Sequence, residues 1–295
     1  MDDGRHGDRP PHEAPPPNGS GAQPLRGIGA DTWPAPTPAA AAALARLYDL
    51  DLADDPGDLD LYLALAARAG GPILELAVGT GRLAVPLARA GHAVTGIDRD
   101  AAMLARARDR AAAAGPDIAG RLRLELGDAC QIRLRDAGSY RLAFVALNSL
   151  LLFGDRDAQA AAVATLAAHL EPGGIAAVDV WLPDTDDLGR YDGRIVLEYP
   201  RVDPETNHLV TKAASAVHDA ATGTVRLMAI YEEGPQGQPA ARWLRQDQLR
   251  LVSADDLRDF ARAAGLTVEL LAGGYDLAPL APGAERAVLI AVKPG

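Results

Sequence analysis

Cysteine is nearly absent from this chain of 295 residues: Cys130 is the only one, which excludes an intrachain disulfide and a thiolate metal cluster. An intracellular, reducing compartment fits that lack, and a cytoplasmic location is expected. No apolar run approaches the ~20 residues that a membrane span needs. Residues 1–6 carry no basic stretch leading into an apolar one, so neither a membrane partner nor a signal peptide is expected. Basic charge is also in short supply. Lys and Arg number 29 against 40 Asp and Glu, a formal net charge of -11, and nearly all of the basic residues are arginine. A surface of that sign repels a phosphate backbone, which argues against nucleic acid as a partner and favours a small molecule. The oligomeric state is left open.

What the chain does have is a change of rhythm along its length. Residues 1–37 are rich in Pro, Gly, Asp and His, lack apolar periodicity, and are expected to be a disordered tail. Helices are expected over 39–49 and 59–69, the second with Asp58 near its start. From Pro72 short apolar strands alternate with helices: strands over 72–77, 92–97, 122–126, 141–147 and 175–181, and helices over 81–90, 100–114 and 158–170. Asp100 is expected to cap its helix, which Gly115-Pro116 stops. Alternation at this spacing implies α/β architecture, a doubly wound, mostly parallel sheet with helices on both faces.

After Pro183 the period changes to two. Stretches 194–198, 209–217, 224–232 and 242–252 read as a small antiparallel β insertion, with a turn at Pro235-Gln236-Gly237. A helix over 254–264 and strands over 267–271 and 287–292 then complete a sheet of seven strands, the last of them antiparallel. The expected domains are therefore a tail at 1–37, a Rossmann-like core at 38–183, an insertion at 184–252 covering the substrate side, and a closing segment at 253–295.

The chemistry-bearing motif is Glu75-Leu76-Ala77-Val78-Gly79-Thr80-Gly81-Arg82. Glycines between a strand and a helix let backbone approach a ligand closely. Asp98 ends the next strand, where a carboxylate can accept both hydroxyls of a ribose. These two features also suit a NAD(P)-dependent oxidoreductase, because Gly79-x-Gly81-x-x-Ala84 matches the dinucleotide pattern. Three others point elsewhere. Glu75 is an acid inside an apolar strand, Gly127-Asp128-Ala129 puts a carboxylate where an adenine amino group can be read, and the chain ends in a helix and two strands.

With those residues, positions of about 40–183 resemble class I S-adenosylmethionine-dependent methyltransferases, most of all the glycine N-methyltransferase and aminosugar N-methyltransferase branch. The likeness is strong from Ile73 to Arg106, and extends to Gly127-Asp128, Asn148-Ser149 and Leu170-Glu171-Pro172-Gly173-Gly174. It implies S-adenosyl-L-methionine as cofactor and methyl transfer to a small-molecule acceptor, at nitrogen, oxygen or carbon. It further implies that Glu75, Ala77, Gly79 and Gly81 surround the methionine part, with Arg82 near its carboxylate, and that Asp98 holds the ribose. Arg99 and Met103 would flank the adenine, Asp128 and Ala129 would read its edge, and Ala146 and Asn148 would lie beneath the sulfonium. Tyr48 would stand over the methyl group; Tyr48 and Asn148 are thus the candidate catalytic residues.

Two departures stand out. Ala77 replaces the first glycine common in the wider family, and Leu151-Leu152 occupy the place where the branch has a histidine. His208 and His218 are the other candidate bases. Arg242, Trp243, Arg245 and Gln246 could line a chamber, although alternation along a strand sends Trp243 and Arg245 to one face and Arg242 and Gln246 to the other. A cofactor-binding module without turnover is the second functional alternative.

Overall fold

The computed structural model describes residues 36–235 and 237–295. All but Pro36 and Thr37 of the expected tail lies outside the described residues.

Helix α1, Pro38–Asp51, starts with proline in its first turn, and the Thr37 hydroxyl accepts the Ala40 N–H at 3.2 Å. Helix α2, Leu59–Ala69, ends at Gly70 in the left-handed conformation. The core then runs β1 Ile73–Leu76, α3 Ala84–Arg89, β2 Val94–Asp98, α4 Ala101–Ala114, α5 Pro116–Ala119, β3 Leu122–Leu126, β4 Tyr140–Val145, α6 Arg156–His169 and β5 Leu170–Trp181. The capping expected of Asp100 is present, its carboxylate accepting from Ala102 N at 2.8 Å. The short α7, Thr185–Gly189, leads into β6 Asp192–Val202, β7 Leu209–Asp219, β8 Thr224–Gly234 and β9 Ala241–Arg250. Helix α8, Ala254–Ala263, and strands β10 Thr267–Ala272 and β11 Arg286–Val292 close the chain.

Seven strands form one sheet in the order β10-β11-β5-β4-β1-β2-β3. The pairs β1–β2, β1–β4, β2–β3 and β4–β5 are parallel, and β11 is antiparallel to both β5 and β10. This is the expected mixed α/β sheet with its last strand antiparallel. Every residue of β1 is buried, because the sheet is covered on both faces. One face packs Leu74, Leu76 and Val145 against Leu166 of α6 and Leu257 and Phe260 of α8. The other packs Ile73 and Phe144 against Tyr62 and Leu65 of α2, Leu87 of α3 and Leu104 of α4.

The antiparallel insertion is a separate four-stranded sheet, β6-β7-β8-β9. Its own cluster contains Val210 and Tyr231, and the residues that close it are Leu47 and Leu50 of α1. Burying such leucines stabilises the arrangement by roughly 1.5–3 kcal/mol each. The turn expected at Pro235-Gln236-Gly237 falls in the connection between β8 and β9, and Gln236 itself lies outside the described residues.

Several boundaries differ from expectation for local reasons. Helix α3 starts at Ala84 rather than 81, since Gly79 and Gly81 have φ of 55° and 76°, incompatible with a right-handed helical turn. Strand β4 stops at Val145 rather than 147, because Leu147 and Asn148 turn left-handed, with φ of 49° and 64°, and open a 3-10 turn at Ser149–Leu152. Strand β6 is longer than 194–198, its alternation interrupted by register shifts at Asp192/Ile195 and Leu197/Tyr199.

Candidate cofactor and acceptor site

The carboxyl ends of the parallel strands carry most of the candidate residues. The chain leaves β1 through Ala77, Gly79 and Gly81, all with positive φ. A Cβ on Gly81 would stand 3.2 Å from Ala107 Cβ and 3.4 Å from its Cα, so both conformation and the approach of α4 require glycine there. A Cβ on Gly79 would meet only Tyr48 Cε1, at 3.9 Å; here the φ alone selects glycine, and the Tyr48 ring lies over the loop. Ala77, at φ 57°, takes the left-handed conformation without that freedom.

Asp98 fixes this turn. Its Oδ2 accepts the Gly79 N–H at 2.8 Å and its Oδ1 the Asp100 N–H at 2.9 Å. Burial pushes its pKa up, against the pull of those two backbone donors. A carboxylate oxygen has two lone pairs, so each still has room for a second donor.

Glu75 is 4 % exposed, and its Oε2 has no hydrogen-bond partner among the described residues. Burial holds its pKa well above the ordinary carboxylate range, opposed by the Arg82 guanidinium. A buried, unpaired carboxylate oxygen is costly unless something cationic or protic meets it. The α-ammonium of S-adenosylmethionine has the charge and donors this group lacks. On that ground the residues present fit the cofactor.

Arg82 was expected near the cofactor's carboxylate. Its Nη1 and Nη2 each donate to an oxygen of the fully buried Asp58, at 2.6 Å, which fixes the guanidinium beside the loop. Asp58 makes no cap to α2 as a result. Arg99 and Asp128 are exposed, Met103 is half-buried, and Ala129 and Ala146 are buried. The Asp128 carboxylate accepts from Cys130 N and Gln131 Nε2, both at 2.9 Å, which holds the turn after β3.

Asn148 holds neighbouring strands together: its Oδ1 accepts from Trp181 N at 2.6 Å and from Arg286 Nη1 at 3.2 Å. Next to it lies a residue the sequence reading missed. Asp179 of β5 is fully buried and accepts from the Tyr62 hydroxyl at 2.6 Å, Leu147 N at 3.0 Å, the Tyr275 hydroxyl at 3.1 Å and Arg286 Nη1 at 2.7 Å. Burial raises its pKa, while the Tyr62 hydrogen bond and the Arg286 charge oppose the rise. The signal that singled out Glu75, an acid inside an apolar strand, is equally present at Ala177-Val178-Asp179-Val180.

A second missed feature joins the two sheets. Asp49 of α1 accepts from Thr80 Oγ1 in the loop at 2.5 Å and from Arg106 Nε and Arg110 Nη2 of α4 at 2.8 and 2.9 Å. Two residues later Asp51 accepts from Tyr231 Oη at 2.6 Å and Lys212 Nζ at 2.9 Å, and also from the Tyr199 hydroxyl. Helix α1 thus ties the loop to the insertion, and Tyr48 sits in that strap. The Arg245 guanidinium lies 5.8 Å from the centre of the Tyr48 ring. Burial raises the pKa of the Tyr48 hydroxyl, so it stays protonated at neutral pH.

Alternation along β9 holds as expected. Trp243 Nε1 donates to Glu233 at 3.1 Å and Arg245 Nε to Asp247 at 2.6 Å on the side facing α1, while Arg242 pairs with Glu232 at the surface. The Gln246 Oε1 is buried without a partner among the described residues. His208 Nδ1 lies 3.3 Å from Glu233 Oε1, within a cluster that also holds Arg46, and His218 N–H bonds to Tyr191 O.

The sheet order, the antiparallel β11 beside β5 and the two-glycine turn pinned by Asp98 define a class I S-adenosylmethionine-dependent methyltransferase fold. An open dinucleotide-binding sheet has a sixth parallel strand at that edge. Residues 73–174 match the family described as Methyltransferase domain, a stretch that runs from β1 into β5. No curated protein sequence matches the chain. Among solved structures, the chain is similar to the CcbJ methyltransferase from Streptomyces caelestis, at 24 % identity and a TM-score of 0.66, over 82 % of this chain and 97 % of that one. An S-adenosylmethionine-dependent methyltransferase from Clostridium acetobutylicum aligns at 16 % identity and a TM-score of 0.71, over 86 % and 98 %. A sugar N-methyltransferase from Streptoalloteichus aligns at 21 % identity and a TM-score of 0.65, over 84 % and 93 %. At such identities the likeness establishes the fold. No described helix is long and apolar enough to cross a membrane.

Proposed function

We propose that the protein is an S-adenosylmethionine-dependent methyltransferase acting on a small-molecule acceptor. The observation that carries this reading is the unpartnered, buried Glu75 carboxylate oxygen in the strand that feeds a two-glycine turn pinned by Asp98. When bound, the cofactor supplies an electrophilic methyl group on a sulfonium. Glu75 would accept from its ammonium, with Ala77, Gly79 and Gly81 presenting backbone along the methionine part. The unused lone pairs of Asp98 would take the ribose hydroxyls. Arg99 and Met103 would flank the adenine, and Asp128 and Ala129 would read its edge. Ala146 and Asn148 would form the floor. Arg82, held against Asp58 by one N–H of each terminal nitrogen, keeps a second N–H on each and would meet the cofactor's carboxylate.

Tyr48 and the face of β9 carrying Arg245 would cover the opposite side, where an acceptor must approach. Alignment and exclusion of water are the main tasks of such a site, and both are positional. A neutral phenol at Tyr48 supplies no strong base. That suits a nucleophile that arrives deprotonated, such as a neutral amine. An amino sugar as acceptor, with methylation at nitrogen, is the finer reading, supported by the fold shared with a sugar N-methyltransferase.

Calorimetric titration of the full chain should give saturable binding of S-adenosylmethionine and none of NADH; tight NADH binding would overturn the assignment. A screen with methyl-labelled cofactor against amino sugars, phenols and carbon acids then tests the finer reading. Label appearing in phenols alone would discard the amine and keep the enzyme class.

A further inference from the structure

Helix α1 carries two acids in its last turn, Asp49 and Asp51, and no basic residue there. The negative end of the helix dipole disfavours carboxylates at that place, so neither acid serves the helix itself. Asp51 is taken up by the insertion, through Lys212 and Tyr231. Asp49 turns to the core. Its Oδ1 accepts from Thr80 Oγ1 at 2.5 Å and from Arg110 Nη2 at 2.9 Å, and its Oδ2 accepts from Arg106 Nε at 2.8 Å. Arg110 Nη1 also donates to Thr80 Oγ1, at 3.3 Å. Thr80, 1 % exposed, thus gives one hydrogen bond and receives another.

The two arginines of α4 could staple α1 to the core by themselves. Thr80 adds something different, because it lies between Gly79 and Gly81, in the turn that Asp98 pins. Its bond to Asp49 ties α1 to the ligand loop directly. Tyr48 precedes Asp49 in the chain, and its ring lies 3.9 Å from the place a Gly79 Cβ would take. No hydrogen bond among the described residues ends on the Tyr48 hydroxyl; burial and the charges of Arg82, Arg245, Glu75 and Asp49 are its surroundings. The helix that carries the ring therefore sets its height over the loop, and Asp49 with Thr80 sets the height of the helix.

We propose that Asp49 is a positioning residue for methyl transfer: through Thr80 it fixes the Tyr48 hydroxyl over the methyl group of bound S-adenosylmethionine. The inference rests on the methyltransferase reading above and deepens it. A phenol oxygen in that place meets an electron-poor, positively charged methyl group, and a misplacement of about 1 Å is enough to lose such alignment. Thr80→Val removes the tie and keeps the volume of the side chain.

Sinefungin carries C–NH3+ where S-adenosylmethionine carries S+–CH3, and S-adenosylhomocysteine carries neither. The ratio of their affinities therefore reads the Tyr48 hydroxyl without any acceptor. Calorimetric titration of the full chain should show sinefungin preferred. Tyr48→Phe should lower that preference by about tenfold, with affinity for S-adenosylhomocysteine within about threefold of the parent. Thr80→Val and Asp49→Ala should each lower it by about fivefold in the same way, and Thr80→Ser should keep it. In the Tyr48→Phe background Thr80→Val should change it by less than about twofold, because the hydroxyl being positioned is gone. Melting curves show which variants are folded; Asp49→Ala leaves two arginines uncompensated, so Thr80→Val decides if that variant unfolds. A preference kept in Thr80→Val would overturn the proposal, and so would an equal loss with and without the Tyr48 hydroxyl. A preference indifferent to Tyr48→Phe would overturn it by removing Tyr48 from the methyl group, with the enzyme class left standing. Failure to bind either compound would remove the methyltransferase reading, and this inference with it.

Discussion

In the seven-stranded sheet the central strands are covered on both faces, and the acids they carry, Glu75 and Asp179, are fully or almost fully buried. In the four-stranded sheet many acids and bases sit in shared ion clusters against α1, and residues 195–197 of the far strand β6 are exposed on both faces. Burial on two sides lets the first sheet hold a charge in a defined place at high cost. The second sheet spends its charges on attachment. On the proposed reading, preorganisation for the cofactor belongs to the first sheet, and coverage of the acceptor side to the second.

The sharpest break in this comparison is at Asp179. It meets two hydroxyls, a backbone N–H and the Arg286 guanidinium, so Asp179→Ala leaves a partly buried cation uncompensated. The expected cost is about 3–5 kcal/mol. At ~2–4 °C per kcal/mol for a chain of this size, the melting temperature should fall on the order of ten degrees. Thermal melts check it; a fall of one or two degrees would mean that the cluster holds little together. Glu232 and Glu198 of the four-stranded sheet should each cost far less, since both pair at the surface.

Next in size is Asp98→Ala. It removes the acceptor for Gly79 N and, on the proposed reading, the acceptor of the ribose hydroxyls, each charge-assisted bond being worth ~1.5–3 kcal/mol. Affinity for S-adenosylmethionine should drop by roughly ten- to a hundredfold, read by calorimetric titration. An unchanged dissociation constant would remove Asp98 from the site.

Glu75→Gln tests whether the buried charge is held for a ligand at the expense of stability. The folded-state pKa of Glu75 is raised, so the folded form binds that proton more tightly than the unfolded form does. Its contribution then favours folding as pH falls through the raised pKa towards the ordinary carboxylate value, and opposes folding above it. The neutral variant should melt higher than the parent without cofactor, because an amide in place of the carboxylate carries no buried charge, and the advantage should shrink as pH is lowered through that window. Its affinity for S-adenosylmethionine should fall at the same time. A variant that melts lower at neutral pH would show that Glu75 stabilises the fold by itself.

The strap through α1 gives a smaller, kinetic effect. Tyr48→Phe keeps the ring over Gly79 and beside Arg245 but removes the hydroxyl. Cofactor affinity should stay within about threefold while turnover falls by roughly tenfold, the pattern of an interaction made in the transition state. Equal losses in both would make Tyr48 part of cofactor binding.

Much of the first sheet is legible in the sequence, because strands buried on both faces are short apolar runs and the turn of Gly79 and Gly81 interrupts them at a fixed place. Strand β3 falls at 122–126 as expected. The parallel direction of β1 to β5 follows from the alternation with helices. What stayed hidden is what joins distant positions. Tyr62 and Asp179 are 117 residues apart, Asp51 and Tyr231 180 apart, and no local pattern announces either pair. The pairing of Arg82 with Asp58 shows the same limit: nothing local in the sequence announces it, and only the fold brings the two together. Period two revealed the insertion, while the bulges in β6 hid the true length of its edge strand.

The smallest effect is expected at Ala77, where the methyltransferases that the chain resembles commonly carry glycine. Its φ of 57° places a Cβ where a left-handed residue crowds the next carbonyl, a cost of roughly 1–2 kcal/mol. Ala77→Gly relieves that crowding but also frees the unfolded chain, which returns about 0.4–1 kcal/mol. The net should be a gain of at most about 1 kcal/mol, or ~2–4 °C in melting temperature. Cofactor affinity should be unchanged if the alanine merely occupies a glycine conformation, and weaker if its methyl group touches the cofactor. Melting and calorimetry on the same variant separate the two. A variant that melts lower would mean that the conformation at Ala77 is held by its neighbours at no cost, and that the alanine stabilises the chain through its unfolded state.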